Sequence, residues 1–165
     1  MLKPLVRVFV LVLASVACVG FAHAFTFRSS EGHFTAEFAE EPKLKEISGK
    51  NHEGAPFTQY IWQAHKDGTV FTVSMTISTK QLKFNYDQGV TGFVQAINGK
   101  LIRQQKLQIK RTEGREMIVE AAGVIFRVRF VFVDQRLYQI SCGGPPGSEK
   151  SAAAEAFLNS VQLGK

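Results

Sequence analysis

The segment Val124–Val133 constrains the fold of this chain more than any other part of the sequence. Alternate side chains of a strand point to opposite faces of a sheet, so the segment divides into two sets. One set is Phe126, Val128, Phe130 and Phe132, and the other is Ile125, Arg127, Arg129, Val131 and Val133. The segment is apolar on both faces except at the two arginines, which is typical of a strand inside a sheet. We therefore expect a central strand with a helix covering each face.

Antiparallel hairpins are predicted for most of the remaining chain. Residues 59–65 and 69–79 flank Asp67-Gly68, a strong two-residue hairpin signal. Residues 25–27 and 34–38 form another alternating pair around a turn at residues 29–32. Lys43–Lys50 is polar and is predicted to be an edge strand. Further turns or loops are expected at residues 112–114, 122–123, 134–135 and 143–147.

Two helices are predicted from a change of period. Val90, Phe93, Val94 and Ile97 recur at helical spacing, with Asp87 as the expected cap and residues 98–99 as the expected end. Ser148 is expected to cap a final helix. The residues of that helix expected to face the sheet are Ala152, Ala156, Phe157 and Val161.

Residues 1–24 have the three regions of a secretory signal peptide. Lys3 and Arg7 precede an apolar run, and Ala22 and Ala24 occupy the two positions that a signal peptidase reads. We expect cleavage after Ala24, which leaves residues 25–165 as a single domain in the periplasm or outside the cell. The apolar run is shorter than the ~20 residues of a membrane-spanning helix, so we expect no transmembrane segment in the mature chain. Lipidation at Cys18 is the alternative.

Charge is uneven along the chain. The precursor carries a formal charge of +6, and removal of Lys3 and Arg7 leaves +4. Residues 25–79 have a net charge of −2, whereas residues 80–136 have a net charge of +6. This basic half suits an unknown acidic protein or an anionic membrane surface as partner, or it is a solvated face. We expect no nucleic-acid partner, because the chain is predicted to be exported and no nucleic-acid motif is present.

Four arginines form the candidate site for an anion or partner. Arg127 and Arg129 share one face of the predicted central strand, and Arg115 and Arg136 are expected on its neighbours. Clustered guanidinium groups bind carboxylates or phosphates through forked hydrogen bonds. The alternative is internal pairing of these arginines with Glu116 and Glu120 across the sheet.

Catalytic and metal-ligating patterns are not found in the sequence. His33, His52 and His65 lack partners at a metal-ligand spacing, so we expect no metal and no cofactor. The pair Glu40-Glu41 precedes a proline and is typical of solvated acids. Residues 141–144 lack the frame of a nucleophile elbow. Cys142 lies in an alternating apolar stretch and is predicted to be buried. We therefore predict no catalytic residues and no enzyme.

The sequence resembles the PsbP-like family at both ends of the mature chain. The first part of the resemblance is Phe27-x-Ser29-x-x-Gly32-x-Phe34-x-x-x-Phe38-x-x-x-Pro42. The second comprises Gly114-Arg115-Glu116, Arg127-x-Arg129, Arg136-Leu137-Tyr138-x-Ile140 and Phe157-Leu158-x-Ser160. The resemblance implies an α+β fold, a twisted antiparallel β-sheet of about six to eight strands with helices on both sides. It implies no functional residues, because a fold does not fix a function.

Two functions remain after these exclusions. The first is an exported, non-enzymatic accessory or interaction module with a basic surface. The alternative is a small-ligand carrier or sensor that uses a cleft between the sheet and the helix near residues 87–98.

Cleavage after Ala24 predicts that the exported protein begins at Phe25. Mass spectrometry of the denatured protein, taken from its native envelope fraction, measures this directly. The mass of residues 25–165 would confirm the cut. A lipid added at Cys18 would contradict the prediction.

Overall fold

A computed structural model describes residues 24–51, 54–81 and 83–164. Strands dominate this part of the chain, and two α-helices interrupt them. In chain order the elements are β1 (Phe25–Ser29), β2 (Phe34–Phe38), β3 (Lys43–Lys50), β4 (Pro56–Lys66), β5 (Thr69–Ser78), α1 (Tyr86–Ala96), β6 (Lys100–Ile109), β7 (Thr112–Ala121), β8 (Val124–Val133), β9 (Arg136–Gly144), a short 3-10 helix (Ser148–Lys150), α2 (Ala152–Ser160) and β10 (Gln162–Leu163).

The described strands form two antiparallel sheets. The main sheet has seven strands in the order β3-β4-β5-β9-β8-β7-β6, within the predicted range, with β3 at one edge as predicted. The small sheet has the order β1-β2-β10, so the N-terminal hairpin is completed by the last strand of the described residues. The sequence did not predict this separate sheet, because β10 is only two residues long.

β8 lies inside the main sheet between β9 and β7, and each face is covered by a helix, as predicted. On one face, Val90 of α1 packs with Val128 and Phe130 of β8 and with the neighbouring strand β7. On the opposite face, Val131 joins a core that includes Phe157 of α2. The alternating pattern of β8 therefore correctly predicted a helix on each face of the sheet.

The main core lies between α2 and the two sheets. Phe157 contacts Phe38 of the small sheet and Phe71 of the main sheet, with ring centroids 5.1 and 5.3 Å apart. The fully buried Tyr138 donates a hydrogen bond of 3.0 Å to the carbonyl oxygen of Gly32. Burial raises the pKa of Tyr138, so the phenol remains a donor at neutral pH. These contacts hold the two sheets together.

Three of the hairpin turns are two-residue loops in the left-handed region. The φ angles are 49° and 73° at Asp67-Gly68, 50° and 78° at Ala122-Gly123, and 49° and 60° at Asp134-Gln135. Positive φ at both residues matches the twist of the flanking strands, which is why these loops favour tight hairpins. All three turns were predicted from the sequence.

The predicted turn at residues 112–114 is wrong. The chain turns at residues 110–111, and Gly114 lies inside β7, opposite Val131 of β8. A Cβ at Gly114 would lie 2.8 Å from the carbonyl oxygen of Phe130, closer than any side chain tolerates. This glycine is required for close approach of two strands and not for a turn.

The predicted flexible connection at residues 143–147 is also partly wrong. Gly143 and Gly144 are buried and belong to β9, so the loop begins only at Pro145. A Cβ at Gly143 would lie 2.6 Å from the ring of Phe126. Both glycines therefore belong to the packed sheet.

The helix caps differ from the predictions. Asn85, not Asp87, caps α1, and its side chain accepts hydrogen bonds from the N–H groups of Asp87 and Gln88. At the other end Asn98 takes the left-handed conformation, with φ of 51°, rather than Gly99. Asparagine tolerates this region better than most residues.

α2 begins later than predicted. Ser151 caps it by accepting from the N–H of Ala154, whereas Ser148 begins the 3-10 helix. This start turns Ala154 and Leu158 into the core beside Phe157 and leaves Ala152 and Ala156 exposed, contrary to the prediction.

Two glycines of α1 give a matched test of its packing. Gly92 is exposed, and a Cβ there would meet no atom within 4 Å, whereas a Cβ at Gly89 would lie 2.4 Å from the ring of Phe84. Glycine in a helix interior costs about 1 kcal/mol relative to alanine. We expect Gly92→Ala to raise the free energy of unfolding by up to that amount and Gly89→Ala to lower it. Urea unfolding measures both, and an equal gain from both substitutions would contradict this packing of α1.

Candidate functional site

The four candidate arginines do not converge on one site. Arg127 and Arg129 lie on β8 and reach toward α2 and the 3-10 helix. Arg115 lies on the neighbouring strand β7, as expected, but it forms an ion pair of 3.1 Å with Asp87 of α1 on the opposite face. Arg136 begins the other neighbour, β9, at the turn after β8. The structure therefore brings together Arg127 and Arg129 of the predicted set.

Glu116 of β7 is the centre of this arrangement and is only 2% exposed. Its Oε2 accepts a hydrogen bond of 2.7 Å from Nε of Arg129 and lies 3.1 Å from Nη2 of Arg127. Its Oε1 accepts a bond of 3.0 Å from Nε2 of Gln105. The strand register explains the geometry, because Gln105, Glu116 and Arg129 lie directly opposite one another on β6, β7 and β8.

The same arginines hold α2 against the sheet. Arg129 Nη1 donates to the carbonyl oxygen of Leu158 at 2.7 Å and to Oδ1 of Asn159 at 3.1 Å. Arg127 Nη1 donates to the carboxylate of Glu155. The last carbonyl groups of a helix have no partner within the helix and carry partial negative charge. A buried guanidinium at this position satisfies them. We call Gln105, Glu116, Arg127, Arg129 and Glu155 the Glu116 cluster.

Both signs of charge are stabilised within the Glu116 cluster. Burial acts to raise the pKa of Glu116, but hydrogen bonds and charges from Arg129 and Arg127 outweigh it and hold the pKa below its usual value. Burial acts to lower the pKa of Arg127, but Glu155 and Glu116 outweigh it and raise the pKa. Glu116 and Arg127 are therefore ionised at neutral pH.

The sequence offered pairing of the arginines with Glu116 and Glu120 as the alternative to anion binding. The structure shows this internal pairing with Glu116 only. Glu116 pairs with both arginines, whereas Glu120 is exposed and pairs with neither. A cavity of about 410 Å³ opens beside Arg127, but Glu149 and Glu155 also line it. The two carboxylates would repel an external anion and already neutralise Arg127. Other cations of the chain are therefore better candidates for binding an anion.

A second group of cations lies on β6 and the turn that follows it. The twelve residues from Lys100 to Arg111 include five basic residues and no acidic residue. We call these five, Lys100, Arg103, Lys106, Lys110 and Arg111, the basic edge. All five are exposed, and β6 is the outermost strand of the main sheet. Among the described residues, Lys100, Lys106, Lys110 and Arg111 form no ion pair, and Arg103 is 4.0 Å from Glu116.

Sequence reasoning missed the basic edge as a unit. The net charge of residues 80–136 includes five acidic residues, and none of them lies in the run from Lys100 to Arg111. The signal was present as charge density over a short window. Its exposure on an edge strand was not readable from the sequence, because strand order depends on long-range pairing.

The residues considered in the sequence as catalytic or metal-ligating groups do not form one cluster in the described part of the chain. Cys142 is fully buried in β9, and burial raises the pKa of its thiol to about 11, so the thiolate is not formed at neutral pH. Glu40 accepts a hydrogen bond from the backbone N–H of His65. No group of three or more His, Cys, Asp or Glu in residues 24–51, 54–81 and 83–164 is placed to hold a metal. His52 lies outside these described residues.

The predicted ligand cleft beneath α1 is filled by side chains. Val90 is only 3% exposed, and it packs with Met117 and Val119 of β7. Phe93 lies 6.1 Å from the ring of Phe130 on the sheet. This interface has the dense packing of a core, so the small-ligand alternative requires a different cavity.

Removing the negative charge of Glu116 leaves the buried Arg129 and the partly buried Arg127 without their shared counter-ion. Breaking a buried ion pair in this way costs about 3 kcal/mol. We expect Glu116→Gln to lower the free energy of unfolding by that amount at pH 7, and Glu120→Gln, on the same strand but exposed, to change it by less than about 0.5 kcal/mol. Denaturant unfolding of the two variants measures the difference.

The effect of Glu116→Gln depends on pH. Because the pKa of Glu116 is lower in the folded protein than in the unfolded chain, its ionisation stabilises the fold above the unfolded value of about 4.3. That stabilisation is lost as the pH falls through the folded pKa. The difference between wild type and Glu116→Gln should therefore be constant near neutrality and shrink in acid. A difference that persists unchanged at pH 3 would contradict this assignment.

Comparison with known proteins supports the fold. No protein-family model matches the chain, and no curated protein matches it in sequence. The solution structure of cyanobacterial PsbP (CyanoP) from Synechocystis sp. PCC 6803 is similar, with a TM-score of 0.60 and 9% sequence identity. The match covers 92% of this chain and 98% of that protein. No helix within the described residues is long and apolar enough to cross a membrane. The chain has a PsbP-like α+β fold, as its sequence resemblance implied.

Proposed function

We propose that this chain is an exported, non-enzymatic accessory module that docks on an anionic membrane surface through the basic edge. The observation that carries the proposal is the run of five exposed cations without an acid on the edge strand β6 and the turn that follows it. The N-terminal export signal predicted from the sequence supports a location beside an envelope membrane.

The charges of the basic edge suit a membrane surface. Each Lys or Arg near an anionic bilayer contributes about 1 kcal/mol of binding free energy. Lys100, Lys106 and Arg111 have no carboxylate partner among the described residues, so docking breaks no ion pair of theirs. Several such cations on one strand give an affinity that depends strongly on salt.

Apolar side chains accompany the cations. The register of β6 against β7 shifts between Leu101 and Arg103, which leaves Ile102 in a bulge. Ile102 is 52% exposed and Leu101 is 36% exposed. An aliphatic side chain that leaves water at a bilayer interface adds about 1 kcal/mol. Basic and apolar groups are thus combined on the same edge, as in interfacial membrane anchors.

Lysines on edge strands also have a protective role, since they prevent pairing with the edges of other sheets. The opposite edge of the main sheet, β3, provides the comparison. It carries Lys43, Lys45 and Lys50, but it also carries Glu46. Its exposed apolar residues are Leu44 and Ile47. Protection alone predicts equal behaviour of the two edges, whereas docking through the basic edge predicts a difference.

Co-sedimentation with vesicles tests the proposal. The protein is purified in the form that its expression host releases and is mixed with vesicles of phosphatidylglycerol and phosphatidylethanolamine, or of phosphatidylethanolamine and phosphatidylcholine alone. We expect binding to the anionic vesicles only, weakening as salt is added. The triple variant Lys100→Gln, Arg103→Gln, Lys106→Gln should bind about 100-fold more weakly, because it loses about 3 kcal/mol.

The matched control is Lys43→Gln, Lys45→Gln, Lys50→Gln on β3, which removes the same number of charges from the other edge. We expect this control to bind like the wild type. Equal weakening of both triple variants would show that net charge, and not the basic edge, drives binding. Absence of binding to anionic vesicles at low salt would favour a protein partner and overturn docking on lipid.

A further inference from the structure

A groove of about 610 Å³ lies at the end of the main sheet that carries the turns after β6 and β8. One wall is the turn between β6 and β7, another is the turn after β8, and the third is the C-terminal segment at β10. The volume falls within the roughly 300–1,000 Å³ that small-molecule sites occupy in proteins. The groove is separate from the Glu116 cluster and from the interface under α1.

Aliphatic side chains dominate the lining of the groove. They come from three separate parts of the chain: Ile109, Val131, Val133, Val161 and Leu163. Val131 is fully buried, whereas Ile109, Val133 and Leu163 are only partly buried and border the main core. The groove is therefore an opening onto the hydrophobic core, and an apolar occupant would cover surface that the fold leaves in contact with water.

Charge is concentrated on one wall. Lys110 and Arg111 form the turn between β6 and β7, and both are exposed. Asp134 lies on the turn after β8. Neither cation forms an ion pair with the described residues. An apolar floor with unpaired cations at one wall is complementary to a molecule that has an apolar body and one negative end.

We propose that this groove binds a single-chain anionic amphiphile, with its aliphatic chain along the five aliphatic side chains and its head group at Lys110 and Arg111. A free fatty acid and a single-chain anionic phospholipid share this chemistry. The groove goes beyond docking on a bilayer, because it would hold one molecule removed from any membrane.

An extended peptide is the competing occupant, and the structure favours it less. Peptides that add a strand to a sheet bind through a row of backbone hydrogen bonds. The strand that faces the groove, β10, has only two residues, and it already pairs with β2 through its other edge. A free edge of that length offers too few backbone groups for strand addition, whereas an alkyl chain needs none.

Fluorescence titration tests the proposal without a membrane. The dye 11-(dansylamino)undecanoic acid is added to the protein as its expression host releases it. Palmitate, lysophosphatidylglycerol or hexadecanol then competes below the concentration at which each aggregates. We expect the dye to bind and palmitate or lysophosphatidylglycerol to displace it, and the stronger competitor identifies the source of the head group. No dye binding, or displacement by hexadecanol as strong as by either anion, would overturn the proposal.

Substitutions locate the binding within the groove. The double variant Lys110→Gln, Arg111→Gln should weaken binding of the anionic competitors about fivefold, which corresponds to about 1 kcal/mol in total for two exposed ion pairs. Binding of hexadecanol should not change. The matched control Lys43→Gln, Lys45→Gln removes two charges from the far edge of the sheet and should leave every affinity unchanged. If the control weakens palmitate as much as the groove variant does, the head-group assignment is wrong.

Leu163→Glu places a carboxylate among the aliphatic side chains and should weaken all three competitors at least about tenfold, because a charge opposes burial of the chain. Circular dichroism checks that this variant folds.

Photo-cross-linking to the wild-type protein locates the ligand without any substitution, so its result does not depend on whether a variant folds. Palmitate carrying a terminal diazirine should cross-link to peptides that contain residues 109–112, 131–134 or 161–164. Cross-links concentrated elsewhere would overturn the assignment of the groove.

Discussion

The ionised side chain of Glu116 is the interaction on which the arrangement of layers depends. A carboxylate that is 2% exposed is stable only if every lone pair has a partner, since isolated burial of a charge costs several kcal/mol. Its partners come from both adjacent strands, and one of them, Arg129, also holds the carbonyl end of α2. The register of three strands and the position of a helix are therefore specified together. Hydrophobic packing alone would permit α2 to slide over the sheet, because it has no direction.

Elements with a strong local pattern were predicted correctly from the sequence, whereas features set by competing neighbours were not. β8 follows from alternation, and each of the three tight hairpins has a Gly or Asp in its two-residue loop. The caps were missed because Asn85 and Asp87, like Ser148 and Ser151, are alternative capping residues, and packing chooses between them. Gly114 and Gly143 look like turn residues in a sequence, yet contacts with other strands require them. Those contacts join different strands, so they could be identified only once the strand pairing was known.

The candidate site shows the same division. The internal partner of Arg127 and Arg129 was foreseen as an alternative, because Glu116 precedes them by one hairpin and cross-strand pairing follows from that hairpin. The pairing of Arg115 with a helix on the opposite face was not foreseen, although alternation along β7 separates Arg115 from Glu116. The basic edge and the groove depend on which strands end the sheet and where the C-terminus returns. Both are global properties of the chain.

The contacts of the N-terminal hairpin with β9 and α2 have a consequence for the order of events during synthesis. The backbone N–H of Glu37 donates to the hydroxyl of Ser160, which lies 123 residues later in the chain. The carbonyl oxygen of Gly32 accepts a hydrogen bond from the hydroxyl of Tyr138, which lies 106 residues later. A ribosome delivers the first hairpin long before these partners exist. Contacts so distant in sequence form slowly, because a long loop must close before they contribute. The N-terminal hairpin is therefore left without its core until residues 138–160 have been synthesised, and until then its apolar face has no partner from this core.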